Sequence, residues 1–545
     1  MKRRTLIKGM AASVPSLWLS RALGNDFLQT QLNEDLAKGP FQPTWESLEN
    51  YKTPDWFRDA KFGMWAHWGP QCQPEHGDWY ARGMYEEGSS HYLYHLKKYG
   101  HPSKFGFKDV INEWKAENWN PEELVRLYKD AGAQYFMALA NHHDNFDLYD
   151  SKYQRHWNST KVGPKKDLIG GWEKAARSNG LPFAVSVHAS HAWMWYEPSQ
   201  LADKKGPFAG VPYDGKLTKL DGTGKWWEGL DPQELYAQNH ELSKGYDWEW
   251  KKGIITTPSK DYCNKYFNRT IDLINKYNPD VVYFDDSQLP LWPISDVGLR
   301  IVAHLYNKSI KEHGELRAVV NGKILDENQR KAMVWDIERG QANEIQPLPW
   351  QTDTCIGGWH YDRGLYENNG YKTSKTVIQT LVDIVSKNGN LMLNIPVRGD
   401  GTIDEKERKV VEGITAWMKV NSESIYATRP WKIFGEGPAQ QNSSKLNGPG
   451  FNEGKGKAFT HEDIRFATKG DALYATALGW PADGKLVLKS LKKSSEFFQK
   501  EIQKIEWLPS KHSLSFERDE NGLTVTLPEK TSDELNYANV IRILT

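Results

Sequence analysis

The chain has 545 residues, of which 39% are hydrophobic and 26% are charged, and this composition is typical of a soluble globular protein large enough for two domains. Its 70 basic and 70 acidic residues balance, so no overall charge attracts nucleic acid or an anionic membrane surface. Three cysteines, Cys72, Cys263 and Cys355, are too few and too scattered for a disulfide framework or a zinc motif, and we expect buried free thiols.

Residues 1–24 are predicted to be a twin-arginine export signal. Arg3 and Arg4 precede a moderately apolar stretch from Gly9 to Leu23, which is too short and too weakly apolar to anchor the chain in a bilayer. We expect cleavage between Ala22 and Asn25 and a location in the periplasm or outside the cell. A basic, frayed N-terminal helix is the alternative interpretation.

Eight segments after the signal have strand-like patterns and are predicted to be strands. They are Lys61 to Gly69, Gln134 to His143, Pro182 to Ser190, Val281 to Asp286, Leu316 to Lys323, Met333 to Gly340, Gln351 to Gly357 and Asn390 to Val397. The continuous apolar run Val281 to Phe284 indicates a strand that is covered on both faces, as in a parallel sheet surrounded by helices.

Helical patterns lie between these strands. Asn120 precedes Pro121 at the start of one such pattern, and Gly132 follows its end, which is the arrangement expected of a capped helix. Strands that alternate with helices predict a (β/α)8-like barrel over residues 40–430.

The longest insertion between strands, Glu197 to Lys252, contains four tryptophans, Trp226, Trp227, Trp248 and Trp250. Long loops in compact domains are commonly functional, so a wall of a substrate cleft is one interpretation and inter-domain packing is the other.

From residue 431 to residue 545 the chain changes to short alternating runs separated by Gly, Lys and Ser. Examples are Ile464 to Thr468, Ala472 to Leu478 and Leu523 to Leu527. This pattern predicts a C-terminal β-sandwich domain, whose simplest role is to support the barrel.

The chemistry of a parallel barrel lies at the carboxyl ends of its strands, and several of the predicted strands end in reactive side chains. Asp285 follows the run Val281 to Phe284, and Asp336 and Glu338 end the sixth strand. Paired carboxylates on one rim suit glycoside hydrolysis, in which one attacks and the other protonates the leaving oxygen.

His142 and His143 end the second strand. Adjacent strand residues point to opposite faces, so we expect one of the two to be a core histidine and do not expect them to bind one metal ion together.

The sequence resembles glycoside hydrolase family 29, the retaining exo-acting α-L-fucosidases. The resemblance is carried by Trp56 to Gly63, His67 to Gly69, Asp78 to Tyr80, His142 to Asp144, Lys161 to Asp167, Pro279 to Asp286, Asn388 to Pro396, Ile425 to Trp431, Ile464 to Phe466 and Gly479 to Pro481.

The resemblance implies a catalytic pair. Asp285 takes the position of the family's nucleophile, and its neighbour Asp286 is expected to cap the following segment. Glu338, which precedes Trp350, fits the position of the acid/base, with Glu344 as the competitor.

The resemblance also implies a binding site for the terminal sugar and neither metal nor cofactor. Its substrate-binding residues would be His67, Asp78, Trp79, His142, His143, Tyr283, Lys323 and Trp359. Lys323 stands where the family commonly has Arg, and Val187 where a Tyr is common, so the sugar contacts are expected to differ there.

The activity that the resemblance implies is removal of terminal α-L-fucose from oligo- or polysaccharides with retention of configuration. An α-L-galactosidase acting on algal-type galactans is an alternative, because L-galactose differs from L-fucose by one hydroxyl group. A non-catalytic glycan-binding protein is a further alternative from a different class.

Overall fold

The architecture is that of a computed structural model, which describes residues 34–440, 451–530 and 537–545. The predicted export signal lies outside the described residues. Within them, no helix combines the length and the apolar character needed to cross a bilayer.

Eight parallel strands form a closed barrel. The strands are β1 Phe62–Ala66, β2 Phe136–Asn141, β3 Phe183–Val187, β4 Val281–Phe284, β5 Val319–Gly322, β6 Val334–Glu338, β7 Trp350–Cys355 and β8 Gly389–Asn394. Each pairs with its neighbour in chain order, and β8 pairs with β1 to close the ring, with Phe62 opposite Leu391. The eight predicted strands are confirmed.

Helices surround the barrel and connect its strands. The α-helices of the described residues are Trp45–Leu48, Asp55–Ala60, Tyr80–Gly83, Ser90–Lys98, Phe107–Glu113, Pro121–Asp130, Leu168–Ser178, Ala192–Trp195, Gln233–Tyr236, Lys260–Tyr277, Val297–His313, Gln329–Ala332, Arg363–Glu367, Ser374–Ser386 and Glu405–Asn421. Short 3-10 helices span Pro70–Cys72, Ala189–His191, Glu197–Gln200, Gly206–Phe208, Asp214–Lys216, Lys219–Gly222, Ser422–Ser424 and Lys489–Leu491.

Local sequence sets where these helices begin. The Asn120 side chain accepts a hydrogen bond from the backbone N–H of Glu123, and Pro121 occupies the first turn, as the sequence predicts. The Lys260–Tyr277 helix is capped by Ser259 and leads into β4. The strand Val281–Phe284 therefore directly follows this helix in the chain, and Asp285 comes at the strand's end.

The C-terminal domain is built from two antiparallel sheets. One has the order β14 His512–Ser513, β13 Lys504–Trp507, β17 Asn539–Leu544, β11 Ala472–Ala477, β10 Ile464–Lys469 and β9 Arg429–Glu436; the other has the order β12 Lys485–Leu488, β16 Leu523–Thr526 and β15 Phe516–Arg518. Apolar side chains of both sheets, such as Ile541 and Leu523, share one core. The predicted sandwich is confirmed.

All three cysteines are buried and free, as the sequence predicts.

Candidate active site

A cavity of about 530 Å³ opens at the carboxyl ends of the barrel strands. Its size lies within the range of about 300 to 1,000 Å³ that is usual for ligand sites. Five residues at this end of the barrel each come directly after the last residue of a strand, and they are His67, His142, His188, Asp285 and Lys323. The closed sheet therefore brings residues that are far apart in sequence to one rim.

Lys323 joins the two predicted catalytic carboxylates. Its ammonium lies 2.5 Å from Oδ1 of Asp285 and 2.5 Å from Oε2 of Glu338. These two oxygens share one nitrogen, so they can be no farther apart than twice that distance. This agrees with the carboxyl separation of about 5 to 5.5 Å in retaining glycosidases and excludes the wider separation of inverting ones for these oxygens.

Two histidines hold the other oxygen of Asp285. Oδ2 lies 3.0 Å from Nε2 of His143 and 3.1 Å from Nδ1 of His188. His143 is oriented in turn by the carbonyl of His188, which lies 2.8 Å from its Nδ1. Asp285 is thus fixed in one orientation, with both oxygens bound.

The surroundings separate the pKa values of the two carboxyl groups. Burial alone would raise the pKa of Asp285, but the Lys323 ammonium and the hydrogen bonds from His143 and His188 outweigh it and hold that pKa well below its ordinary value. Burial raises the pKa of Glu338 to about 7, against the attraction of Lys323 and with the help of the Asp353 and Asp285 charges. At neutral pH one group is ionised and the other is available as an acid.

A second pair of carboxyl groups lies deeper in the barrel. Asp353 accepts a hydrogen bond of 2.8 Å from the Tyr283 hydroxyl, and Asp336 accepts one of 2.8 Å from the Gln351 amide. Burial and the neighbouring Asp353 charge raise the pKa of Asp336 well above its usual range. Tyr283 is therefore tied to this inner pair by its hydroxyl, while its ring lines the cavity.

The histidine cluster, which consists of His67, His142, His143, His188 and His360, lies at the inner end of the cavity, and all of its members except His143 line the cavity. Ring centroids lie 4.6 Å apart for His67 and His360 and 4.4 Å apart for His142 and His143. Burial lowers the pKa of His67 and of His142 well below the usual value, so both rings are neutral at physiological pH. Within the described residues, Nδ1 of His67 and Nε2 of His188 have no hydrogen-bond partner.

His142 and His143 both lie near the inner end of the cavity, but only His142 is among the residues that line it, and His143 is fully buried. Strand β2 ends at Asn141, so both histidines lie beyond the regular pleat. Their nitrogens and that of His188 lie within 4.8 Å of one another, as do those of His67, His142 and His360, so each of these two groups could hold a metal ion.

The remaining predicted binding residues meet at one side of the mouth. Asp78 accepts backbone hydrogen bonds from Trp359 at 3.1 Å and from His360 at 2.6 Å, so its carboxylate holds the segment after β7 in place. The Trp359 ring lies 5.7 Å from the His67 ring, and Trp79 lines the cavity farther out.

Asp286 and Glu344, the alternatives to Asp285 and Glu338 in the predicted catalytic pair, have different surroundings from that pair. Asp286 is buried, accepts a hydrogen bond of 2.6 Å from Ser190 and lies 2.7 Å from Nε2 of His191. It therefore binds back to the segment after β3 and does not cap the segment that follows, contrary to expectation. Glu344 is exposed to solvent, outside the residues that line the cavity.

The tryptophans of the Trp-rich insertion do not all have the same role, whether as a wall of the cleft or in packing. Trp248 lines the cavity, and its ring stacks on His191 at 3.9 Å. Trp250 stacks on the same His191 ring at 5.0 Å. Trp226 and Trp227 instead pack by the Phe107–Glu113 helix, through a hydrogen bond to Asp109 and a contact with the Lys108 ammonium. Trp248 therefore forms part of the cleft wall and Trp250 supports it through His191, whereas Trp226 and Trp227 anchor the insertion to the barrel domain.

Several lining residues were missed by sequence reasoning. His188 directly follows β3, so its position at a strand end was a usable signal. Phe451 gave no such signal, because it lies after β9, the first strand of the C-terminal sheet, and returns to the barrel mouth.

Comparison with protein families identifies two matches. Residues 28–423 match the family described as Alpha-L-fucosidase, and residues 457–544 match the Alpha-L-fucosidase C-terminal domain. The first match covers most of the chain and includes every strand of the barrel.

Individual proteins agree with this assignment. The tissue alpha-L-fucosidase of Rattus norvegicus is 27% identical over 91% of this chain and 90% of its own length. The structure of Thermotoga maritima alpha-fucosidase in complex with a mechanism-based inhibitor is 24% identical, with a TM-score of 0.66, covering 93% of this chain and all of that one. The same protein in complex with fucose gives a TM-score of 0.64 at 24% identity, covering 92% of this chain and all of that one. By its sequence match over both regions and by its fold, the chain belongs to the alpha-L-fucosidase family.

Proposed function

We propose that this protein is an exo-acting, retaining α-L-fucosidase that removes terminal α-L-fucose from oligo- or polysaccharides, with Asp285 as nucleophile and Glu338 as acid/base. The observation that carries the proposal is the pair of carboxylates on the Lys323 ammonium, each at 2.5 Å. One has a pKa well below its usual value and the other a pKa of about 7, which suits a nucleophile and an acid respectively.

In the first step, an Asp285 oxygen attacks the anomeric carbon of the bound sugar while protonated Glu338 gives its proton to the glycosidic oxygen. The bond from the anomeric carbon to that oxygen breaks, the leaving sugar departs as an alcohol, and a covalent ester forms between Asp285 and the sugar.

In the second step, Glu338 removes a proton from water, whose oxygen attacks the anomeric carbon and releases the Asp285 carboxylate. The structure offers a reason why Glu338 changes from acid to base. The Asp285 charge raises the pKa of Glu338, and the ester carries no such charge. The pKa of Glu338 therefore falls when the intermediate forms, which favours the basic form that the second step needs.

The shape and chemistry of the cavity support binding of one terminal sugar. Trp65 and Tyr283, which lie on strands inside the barrel and are almost fully buried, close its inner end. The neutral rings of His67 and His142 offer hydrogen-bonding nitrogens without charge, which suits sugar hydroxyls. The fucose complex of Thermotoga maritima alpha-fucosidase, which has the same fold, supports L-fucose as that sugar.

The two alternatives from sequence receive less support. The relatives and structures compared above are named fucosidases, which does not favour an α-L-galactosidase. A non-catalytic glycan-binding protein would have no need of two carboxylates with separated pKa values. Parallel assays with aryl α-L-fucoside and aryl α-L-galactoside distinguish all three, since the binding protein would cleave neither.

The catalytic assignment is tested by isosteric and truncating variants. Asp285→Ala is expected to lower kcat by about 10³-fold or more, because no nucleophile remains. Glu338→Gln is expected to lower kcat/KM on methyl α-L-fucoside by about 10² to 10⁴-fold, since a methoxide leaving group needs protonation. Glu344→Gln is the matched control, and a larger loss in it than in Glu338→Gln would contradict the assignment.

We also propose that residues 1–24 direct export by the twin-arginine route to the periplasm or beyond. Arg3 and Arg4 ahead of the apolar stretch support this proposal. Replacing both by lysine is expected to retain the protein in the cytoplasm, as measured by cell fractionation. An unchanged distribution would argue against it.

A further inference from the structure

The outer part of the cavity is aromatic, and the family resemblance assigns a role in binding the terminal sugar to Trp79 but not to the other aromatic residues there. Trp79, Tyr246 and Phe451 line it and are 40%, 42% and 46% exposed. They come from three distant parts of the chain, namely the loop after β1, the Trp-rich insertion and the segment after β9. Large aromatic side chains that converge on a cavity mouth and stay exposed indicate a binding surface.

Phe451 lies on the side of the cavity where a leaving group would depart. Its backbone N–H donates a hydrogen bond of 2.9 Å to the carbonyl oxygen of Glu338. The acid at that position protonates the glycosidic oxygen, so the group attached to this oxygen lies beside Glu338. The Phe451 side chain, which lines the cavity, is therefore next to that group.

Trp79, Tyr246 and Trp248 pack together into one wall of the cavity. The Trp79 ring lies 6.2 Å from that of Tyr246 and 6.4 Å from that of Trp248, nearly parallel to the latter. The Arg82 guanidinium lies 5.0 Å from the centre of the Tyr246 ring and supports it from behind. This wall is fixed by several contacts and does not depend on one side chain.

Two of these aromatic residues have a backbone conformation that bulky side chains rarely adopt. Trp79 has φ of 62° and Phe451 has φ of 59°, in the left-handed region. Such conformations persist only where surrounding structure holds them, and they concentrate at binding and catalytic sites. Both aromatic rings are thus presented to the cavity at a conformational cost.

The charges at the rim indicate which kind of sugar fits. Asp247, Glu249 and Lys251 line the same part of the cavity, and Lys251 is paired with Asp247 at 3.0 Å. The Glu249 carboxylate leaves a net negative charge at the rim, which repels sulfate or carboxylate groups on a ligand.

We propose that Trp79, Tyr246 and Phe451 form a subsite for the leaving-group sugar, and that this sugar is a neutral pyranose. The proposal rests on the proposed fucosidase function. The apolar face of the ring packs on the aromatic side chains, while its hydroxyls face the polar rim. The C-terminal segment that carries Phe451 therefore contacts substrate and does more than support the barrel.

The test compares two substrates that both need Glu338 as acid. One is methyl α-L-fucoside, whose leaving group has no ring. The other is the best substrate among neutral disaccharides of fucose linked α-1,2, α-1,3, α-1,4 or α-1,6 to galactose or N-acetylglucosamine. Phe451→Ala and Tyr246→Ala are each expected to lower the ratio of kcat/KM, disaccharide over methyl fucoside, by about 3- to 10-fold.

Leu220→Ala is the control, because Leu220 lies in the same insertion, is 85% exposed and is outside the cavity lining. For Leu220→Ala, the ratio of kcat/KM for the disaccharide to kcat/KM for methyl α-L-fucoside should equal that of the unaltered protein. An equal loss on both substrates in Phe451→Ala would show an effect through Glu338 alone and would overturn the subsite. No cleavage of either substrate by the unaltered protein would instead refute the fucosidase function.

A sulfated form of the same disaccharide tests the neutral character of the subsite. With sulfate on the leaving sugar, we expect lower kcat/KM than with the neutral form, and Glu249→Gln should reduce the difference. Preference for the sulfated form would overturn this part of the proposal.

Discussion

At the scale of single residues, Lys323 controls the charge balance of the cavity. It is buried, and it contacts a carboxylate that needs to be ionised and another that needs to carry a proton. The arginine that the family commonly has here would spread its charge over a planar fork, whereas lysine concentrates it on one nitrogen between the two oxygens. The position of one ammonium thus acts on the pKa of both groups.

The pKa values predict the pH dependence of kcat/KM. Activity needs ionised Asp285 and protonated Glu338, and the latter loses its proton with a pKa of about 7. The rate on methyl α-L-fucoside is therefore expected to be level in the weakly acid range and to fall about tenfold per pH unit above about pH 7. Since Lys323 lowers the pKa of Glu338, replacing it by methionine should move this alkaline fall to higher pH while reducing the maximal rate.

Lys323→Arg is the matched control, because it keeps the positive charge and should leave the alkaline fall near its original pH. In Lys323→Met the pKa of Asp285 should also rise, because the ammonium that lowers it is removed. Asp285 is then protonated at a higher pH than before, so kcat/KM should fall at acid pH. If the alkaline fall of kcat/KM stays at the same pH in Lys323→Met, this result would contradict the proposed electrostatic role of Lys323.

At the scale of strands and helices, the barrel was predictable because its signal is local. The strands are four to six residues long and most are rich in apolar residues, and the residue directly after a strand, such as Asp285 or Lys323, is placed on the rim by the geometry of a parallel barrel. The sequence pattern of a strand does not predict the direction of the side chains that lie beyond the strand's end. His142 and His143 were expected to alternate, yet the pleat ends one residue before them.

The Trp-rich insertion shows why contacts between residues far apart in sequence could not be predicted from local sequence patterns. His191 lies between the rings of Trp248 and Trp250 and also contacts Asp286, the residue after the proposed nucleophile. This arrangement joins the cleft wall to β4 through one side chain. The partners Trp248, Trp250 and Asp286 lie 57, 59 and 95 positions from His191 in sequence, and no periodicity or capping pattern connects them to it.

At the scale of the whole molecule, the C-terminal part of the chain is joined to the catalytic barrel beside Glu338. The backbone N–H of Phe451 binds the carbonyl of Glu338 at 2.9 Å, and that of Glu453 binds the carbonyl of Arg339 at 3.0 Å. Arg339 has φ of 44°, a strained conformation for a residue other than glycine. The segment therefore holds the end of β6 in a shape that the strand alone would not favour.

The Glu453 side chain secures this junction. It accepts hydrogen bonds from Thr354 at 2.9 Å and from Lys372 at 2.5 Å, and it lies 3.4 Å from the Arg339 guanidinium. Glu453→Ala is expected to loosen the backbone pairing and to lower kcat/KM by about 10-fold on methyl α-L-fucoside and disaccharide alike, because a small displacement of the acid slows proton transfer. The melting temperature should change little, since partly exposed ion pairs contribute about 1 kcal/mol or less.

The equal loss of kcat/KM on both substrates distinguishes Glu453→Ala from Phe451→Ala, which should lower kcat/KM more for the disaccharide than for methyl α-L-fucoside. Glu436→Gln provides a control in the C-terminal domain, where its carboxylate accepts hydrogen bonds from the backbone of Lys489 and Ser490. It removes one charge from the same domain away from Glu338, so it should leave kcat/KM unchanged. If Glu453→Ala retains full activity while Glu436→Gln loses it, the junction does not position Glu338, and the domain influences catalysis by another route.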